Sequence, residues 1–167
     1  NNKKIFDKYW DENNNFRLFD LASYDKKKNL LIHGRLDDVI NIRGHRIGSG
    51  EVESILLKSN KIKEVCAIGI DDNLAGNELV IFLVKNSKNN ISDIVENLIL
   101  RNFGSYALPK KIISISELPK TRSGKILRRV LRDLYLNPMT KKIGDLSTIL
   151  NKDIINEIKN KLLKINE

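Results

Sequence analysis

One stretch of the chain concentrates the residue types that handle anions. From Leu118 to Leu134 it reads LPKTRSGKILRRVLRDL. Ile126, Leu127, Val130, Leu131 and Leu134 fall on one face of a basic helix predicted from about Gly124 to Leu136, with Lys125, Arg128, Arg129 and Arg132 on the other. Ser123 and Gly124 make the preceding loop short and flexible, so Lys125 is displayed where the helix begins and its amide groups favour an anion. The segment is not a Walker phosphate loop, because Pro119 stands where the first Gly is required and Ile126 where a Ser or Thr would coordinate magnesium. From spacing alone, the simpler reading is a solvated basic helix.

The elements that must position this stretch follow from periodicity. FRLFDLASYD alternates as a strand, and NLLIHGR is its hairpin partner across DKKK. Val39, Ile40 and Ile42 lead into Arg43 and Gly44, and His45 to Ile47 lead away, which predicts a tight hairpin turning at Gly44. Ser49 is the expected N-cap of a helix with Glu51 and Glu53 in its first turn and Val52, Ile55 and Leu56 on its apolar face. IKEVCAIGI and ELVIFLVK are two strands around the polar loop 71–77; Ile91 to Phe103 is a helix, and KIISI a further strand. A terminal amphipathic helix is expected from about Lys152 to Ile165. The fold class predicted is α+β, a small mixed sheet packed with helices.

Composition bounds the function. The 167 residues are 41% hydrophobic, 6% aromatic and 31% charged, which suits a folded domain rather than a disordered chain. No run approaches the roughly 20 apolar residues of a spanning helix, and no signal-peptide pattern opens the chain, so a soluble, cytoplasmic protein without membrane contact is expected. The net charge of +9 favours anionic partners, yet much of the Lys is mixed with Asn and Ile, as in KNSKNN. The aromatic residues are not interleaved with the basic clusters as base-stacking platforms would be, so nucleic acid is not the expected partner. The single Cys66 lies in a predicted buried strand and can form no disulfide within the chain. Tyr9, Trp10 and their charged neighbours show no period and read as the end of a preceding domain.

PKTRSGKILRR resembles the near-C-terminal signature of the adenylate-forming enzymes, the superfamily of acyl-CoA synthetases, peptide-synthetase adenylation domains and luciferases. The resemblance implies that Lys125 orients the carboxylate and α-phosphate during acyl-adenylate formation, a role that a compact, mobile cation can fill electrostatically. A second match, GRLDDVINIRGHRIGSGEVES from Gly34 to Ser54, is similar to the family's hinge-and-hairpin signature. It implies that Asp37 is the hinge between adenylating and thioester-forming poses, that Gly44 lines the pantetheine tunnel, that Arg46 meets phosphate and that Arg35 lies near the ribose. Without the motif, Gly44 would be a turn glycine and the two arginines solvated strand charges. FRLFD resembles the family's Tyr-Arg-Thr-Gly-Asp, which makes Asp20 the acceptor of both ribose hydroxyls. Leu18 and Phe19 stand in place of that motif's Thr and Gly.

KKIGDLSTILNKDIINEI is similar to the Gly-Asp-x-Ser-Thr-Leu tail of acetyl-CoA and propionyl-CoA synthetases. The resemblance therefore implies a short-chain acyl-CoA ligase acting on acetate or propionate with ATP and CoA, or alternatively an adenylation module that loads a carrier protein. Where the acetate branch has a magnesium-binding His the chain has Ser59, so no metal site is expected here and magnesium would be held mainly by the preceding domain. Arg101 is the nearest cation to the position expected to meet the CoA phosphates, which Leu100 occupies; His33 and His45 read as packing or hairpin residues. The implied organisation is the end of the N-terminal domain over 1–36, a mobile C-terminal domain over 37–136 and a tail over 137–167. The implied partners are that N-terminal domain and, through Lys125, a lysine acetyltransferase and deacetylase.

Overall fold

Two consecutive strands in the middle of the chain explain the architecture. Glu64–Val65–Cys66–Ala67–Ile68 and Leu79–Val80–Ile81–Phe82–Leu83–Val84 are nearly unbroken apolar runs, the pattern of strands covered on both faces. The computed structural model describes residues 9–35, 38–86, 90–140, 143 and 149–166 and divides the chain into two units, Asn1–Asp37 and Asp38–Glu167.

In the first unit, β1 (Asp20–Tyr24) and β2 (Leu30–Arg35) form an antiparallel hairpin with a register shift between Leu21 and Ala22. Asp25 closes its turn by accepting the backbone N–H groups of Lys27 and Asn29, each at 2.8 Å. Asp11 does the same for Asn13 and Asn15 across the Trp10–Phe16 bridge.

In the second unit, β3 (Val39–Ile42), β4 (His45–Gly48), β5 (Ile62–Asp72), β6 (Gly76–Lys85) and β7 (Lys111–Ser114) form one mixed sheet in the order β4-β3-β6-β5, with β7 also on β6. The helices are α1 (Ser49–Leu56), α2 (Ser92–Asn102), α3 (Arg128–Leu136) and α4 (Asp153–Asn166). β5 and β6 pair antiparallel; β7 returns parallel to β6 through α2, as a crossover helix allows. Alternation then sends successive side chains to opposite faces. Cys66, Ile68, Val80 and Phe82 pack with α3 and α4, while Val65, Ala67, Ile81 and Leu83 pack with α1 and α2. No described helix is long and apolar enough to cross a membrane.

The α+β class and the element order agree with the sequence reading. Two local expectations do not. Gly48, not Ser49, caps α1, without a side-chain bond; Ser49 is the first helical residue, 3% exposed, and faces inward. The basic helix begins at Arg128 rather than Gly124, because Gly124 takes a left-handed φ of +84° that ends regular structure at a turn.

Candidate functional site

The Lys125 loop is a small hairpin whose closure is local. Lys120 and Ile126 form an antiparallel bridge, the Thr121 N–H donates to Lys125 O at 2.9 Å, and the Gly124 N–H donates to Thr121 O at 2.9 Å. The Lys125 N–H donates to Thr121 Oγ1 at 3.1 Å, and that hydroxyl also meets Ser123 Oγ at 2.9 Å. Thr121 and Gly124 thus do for this turn what their types suit them to do, one bonding backbone through a hydroxyl and one supplying positive φ. Lys125 itself is exposed, and its ammonium has no hydrogen bond or ion pair among the described residues. It stands on this turn, three residues before α3, so the expected display at a helix N-terminus is corrected.

Behind the loop lies a charged cluster that the sequence reading missed. Arg128 Nη2 meets Glu53 Oε2 at 2.6 Å and Nη1 meets Asp38 Oδ2 at 3.5 Å, while Glu53 Oε1 accepts the Ala67 N–H at 2.9 Å. One carboxylate therefore ties α1, β5 and the start of α3 together. Burial pushes the Glu53 carboxyl above its ordinary value, against the Ala67 N–H and Arg128 that favour its charge. Burial works against the Arg128 charge, but the Glu53 carboxylate beside it holds that guanidinium net above its usual value. Burial also raises the Cys66 thiol to about 12, with negative Glu53 nearby adding to it.

The predicted outward basic face is corrected accordingly. Arg128 is only partly exposed and paired, and Arg132 Nε donates to Gly69 O at 3.1 Å; Arg129, at 83% side-chain exposure, fits the solvated description. The missed signal was positional. Arg128 lies one helical turn from Leu131, and Glu53 one turn from Leu56, so each sits at the edge of an apolar stripe.

At the β3–β4 hairpin, Arg43 and Gly44 both adopt left-handed φ, +50° and +84°, as a two-residue turn of the primed type demands. A Cβ on Gly44 would meet nothing within 4 Å, so the tip is open to an approaching ligand. The Arg43 N–H donates to Ala75 O at 2.7 Å, tying the tip to the β5–β6 loop. His45 stacks on Tyr106, ring centroids 4.0 Å apart, which anchors the hairpin to the turn after α2 and agrees with a packing role. Arg46, opposite Asn41 in the ladder, is exposed, and so is Arg101 in the last turn of α2, beside Leu100, which is exposed too. Neither guanidinium has a hydrogen bond or ion pair among the described residues, so with Lys125 they leave positive charge available to an anion.

Asp20 and Arg35 belong to the first unit. They face each other across β1 and β2, 3.8 Å apart, and Arg35 Nη1 donates to Leu18 O at 3.1 Å. Phe19, which stands where the resembling motif has Gly, keeps a left-handed φ of +58°, with its ring set edge-on to Tyr9 at 5.7 Å. Such a conformation costs a bulky residue about 1–2 kcal/mol. Asp37 lies outside the described residues, as do 141–142 and 144–148 of the tail motif. No group of three potential His, Cys, Asp or Glu ligands is gathered among the described residues, and Ser59 Oγ accepts the Lys61 N–H.

Lys125, Arg46 and Arg101 are thus exposed cations with no ion pair among the described residues, of the kind that could meet a phosphorylated ligand. The family described as AMP-binding enzyme C-terminal domain matches residues 51–125. Acetyl-coenzyme A synthetase 1 of Candida glabrata is 35% identical over 150 residues, covering 83% of this chain and 21% of that protein. Acetyl-coenzyme A synthetase of Streptomyces avermitilis is 35% identical over 168 residues, covering 96% of this chain and 25% of that protein. The chain thus spans about a quarter or less of the length of these relatives. Among solved structures, acetoacetyl-CoA synthetase from Streptomyces lividans superposes with a TM-score of 0.78 over 98% of this chain and 25% of that one, at 19% identity. ATP-bound MatB from Rhodopseudomonas palustris gives 0.71 over 81% of this chain and 27% of that one, at 22% identity. The chain belongs to the AMP-binding enzyme C-terminal domain family, and its homologues are acetyl-coenzyme A synthetases.

Proposed function

We propose that this chain is the mobile C-terminal portion of an ATP-dependent short-chain acyl-CoA ligase. In the full-length protein, acetate or propionate and ATP would give acyl-adenylate and pyrophosphate, and the CoA thiolate would then give acyl-CoA and AMP. The observation that carries this reading is Lys125, an exposed cation without a side-chain partner among the described residues, on a loop whose backbone is closed by its own hydrogen bonds. Such a group can place charge beside a phosphate as a carboxylate attacks phosphorus, which is stabilisation of developing charge by a preorganised donor.

Within that reading the chain's residues divide the work. Lys125 serves the first half-reaction. Gly44 leaves room at the hairpin tip for the pantetheine arm, and Arg46 meets a phosphate oxygen. Arg101 supplies a cation for the CoA phosphates, which suits its place in an exposed last helical turn. Asp20 accepts the ribose hydroxyls with Arg35 beside it. Asp37 is the hinge between the N-terminal domain and residues 37–136, with 137–167 as the tail. ATP and CoA supply the adenylyl group and the thiol; magnesium would be held by the larger domain. Acetylation of Lys125 by a lysine acetyltransferase would remove its charge and switch off adenylation until a deacetylase restored it.

The test is Lys125→Ala in the full-length protein. Pyrophosphate release from acetate and propionate should fall by about 10²–10³. Release at the wild-type rate with either acid would overturn the role given to Lys125. Mass spectrometry of protein from cells given excess acetate should find acetyl-Lys125, and an unmodified residue under all conditions would remove the regulatory part.

A further inference from the structure

The segment that carries Lys125 has a second neighbour that local sequence does not suggest. Between β7 and α3 the backbone from Ser114 to Thr121 is followed along its outer side by the tail. Lys161 Nζ donates to Ser114 O at 2.7 Å. Glu157 accepts both the Ser116 N–H, at 3.0 Å, and the Ser116 hydroxyl. Asn151 Nδ2 donates to Glu117 Oε2 at 3.0 Å. The contact then reaches the loop itself: Ile149 forms an antiparallel bridge with Thr121, and the Leu150 N–H donates to Lys120 O at 3.0 Å.

Lys120 and Thr121 are therefore the middle of three short backbone segments. On the inner side they pair with Lys125 and Ile126, and on the outer side with Ile149 and Leu150. Lys120 also meets Glu64 of β5 at 2.7 Å. Ile149 is 4% exposed and joins the same core as Val130 and Leu131 of α3, with Ile154, Ile158 and Leu162 anchoring α4 beneath it. Thr121 is the residue whose hydroxyl holds the Lys125 N–H. Fixing the outer side of Thr121 therefore fixes the residue that shapes the Lys125 turn, and an unpaired outer edge would leave that segment free to shift.

We propose that Ile149 and Leu150 are positioning residues for Lys125, so that the tail takes part in adenylation by holding the lysine loop in register. This rests on the reading of Lys125 as the adenylation lysine. Loss of register by about an ångström is enough to cost a positioned group much of its effect.

The test uses the backbone donor. Leu150 is 65% exposed, so Leu150→Pro removes the N–H while deleting little packing, and Leu150→Ala keeps the N–H as the control. In the full-length protein, Leu150→Pro should lower pyrophosphate release about tenfold and leave thioester formation from supplied acyl-adenylate within about twofold of wild type. Leu150→Ala should change neither half-reaction. In the Lys125→Ala background, Leu150→Pro should cause no further loss, because the two act through one group. Should Leu150→Pro fail to fold, Glu117→Ala, which removes the acceptor of the Asn151 amide and leaves the Asp153 N–H on Asn151 Oδ1, should lower adenylation about twofold with the thioester step unchanged. Equal slowing of both half-reactions, wild-type adenylation in Leu150→Pro, or losses that add to Lys125→Ala would each overturn the proposal. Wild-type pyrophosphate release by Lys125→Ala alone would instead sink the reading of Lys125 beneath it.

Discussion

The hairpin of Gly44 and the loop of Lys125 present one small segment each, but they are held in different ways. The hairpin tip takes its shape from its own two residues, since Arg43 and Gly44 adopt the left-handed conformations that match the strand twist of the ladder from Val39 to Gly48, while the Arg43 N–H on Ala75 O and His45 on Tyr106 fix where it sits. The Lys125 loop closes on Thr121 and Gly124, but its base is gripped from outside by Glu64 and by Ile149 and Leu150 of the tail. A segment whose conformation is local can be exposed on both sides and still keep its shape. A segment that must keep a cation aimed while its tip stays in solvent needs partners far away in sequence. The two regions should therefore fail differently when their supports are cut.

Apart from Lys125→Ala, Gly44→Leu should give the largest separable effect. A side chain at an open tip with φ of +84° blocks the approach and strains the turn, so thioester formation should fall about 100-fold with adenylation nearly intact. Steady-state assays of each half-reaction check this, and equal loss in both would merge the two regions into one function. Arg128→Met comes next. It leaves Glu53, a carboxylate already disfavoured by burial, without its cation, and should lower the stability of the second unit by about 1–3 kcal/mol, less than a wholly buried pair because Arg128 is partly exposed. Denaturant unfolding measures it, and Glu53→Gln in the same background should recover part of the loss, since an amide oxygen still accepts the Ala67 N–H.

The smallest effect is at Cys66. Its folded thiol holds its proton to about 12, whereas an unfolded thiol releases it near about 8.5, so the folded state binds the extra proton between those values. Stability from this source is fully present below the lower value and is lost as pH rises through the upper one. The stability gap between wild type and Cys66→Ala should accordingly narrow from about pH 8 to about pH 11. Thiol reagents should label Cys66 only when the chain is unfolded, and rapid labelling of the native protein would place it elsewhere than the core.

What the sequence disclosed follows the same division. Strands, the Gly44 turn and α2 were legible because alternation, a two-residue turn and helical spacing are short-range signals. The start of α3 was misjudged because an apolar stripe extends through Ile126 and Leu127, although Gly124 and the Lys120–Ile126 bridge hold those residues out of the helix. The Arg128, Glu53 and Asp38 cluster was missed because charge patterning counts residues as solvated until a partner from another element arrives. Phe19 teaches the converse, since the backbone keeps a glycine-like conformation where glycine is absent, with the ring lying against Tyr9.

The most direct test crosses the two regions in one experiment on the full-length protein. Lys125→Ala and Gly44→Leu are each assayed for pyrophosphate release from acetate and propionate and for CoA thioester formation from supplied acyl-adenylate. Opposite patterns are predicted: Lys125→Ala loses the first and keeps the second, Gly44→Leu keeps the first and loses the second. If both variants lose the same half-reaction, or if Lys125→Ala retains full adenylation, the division of labour between the loop and the hairpin is contradicted.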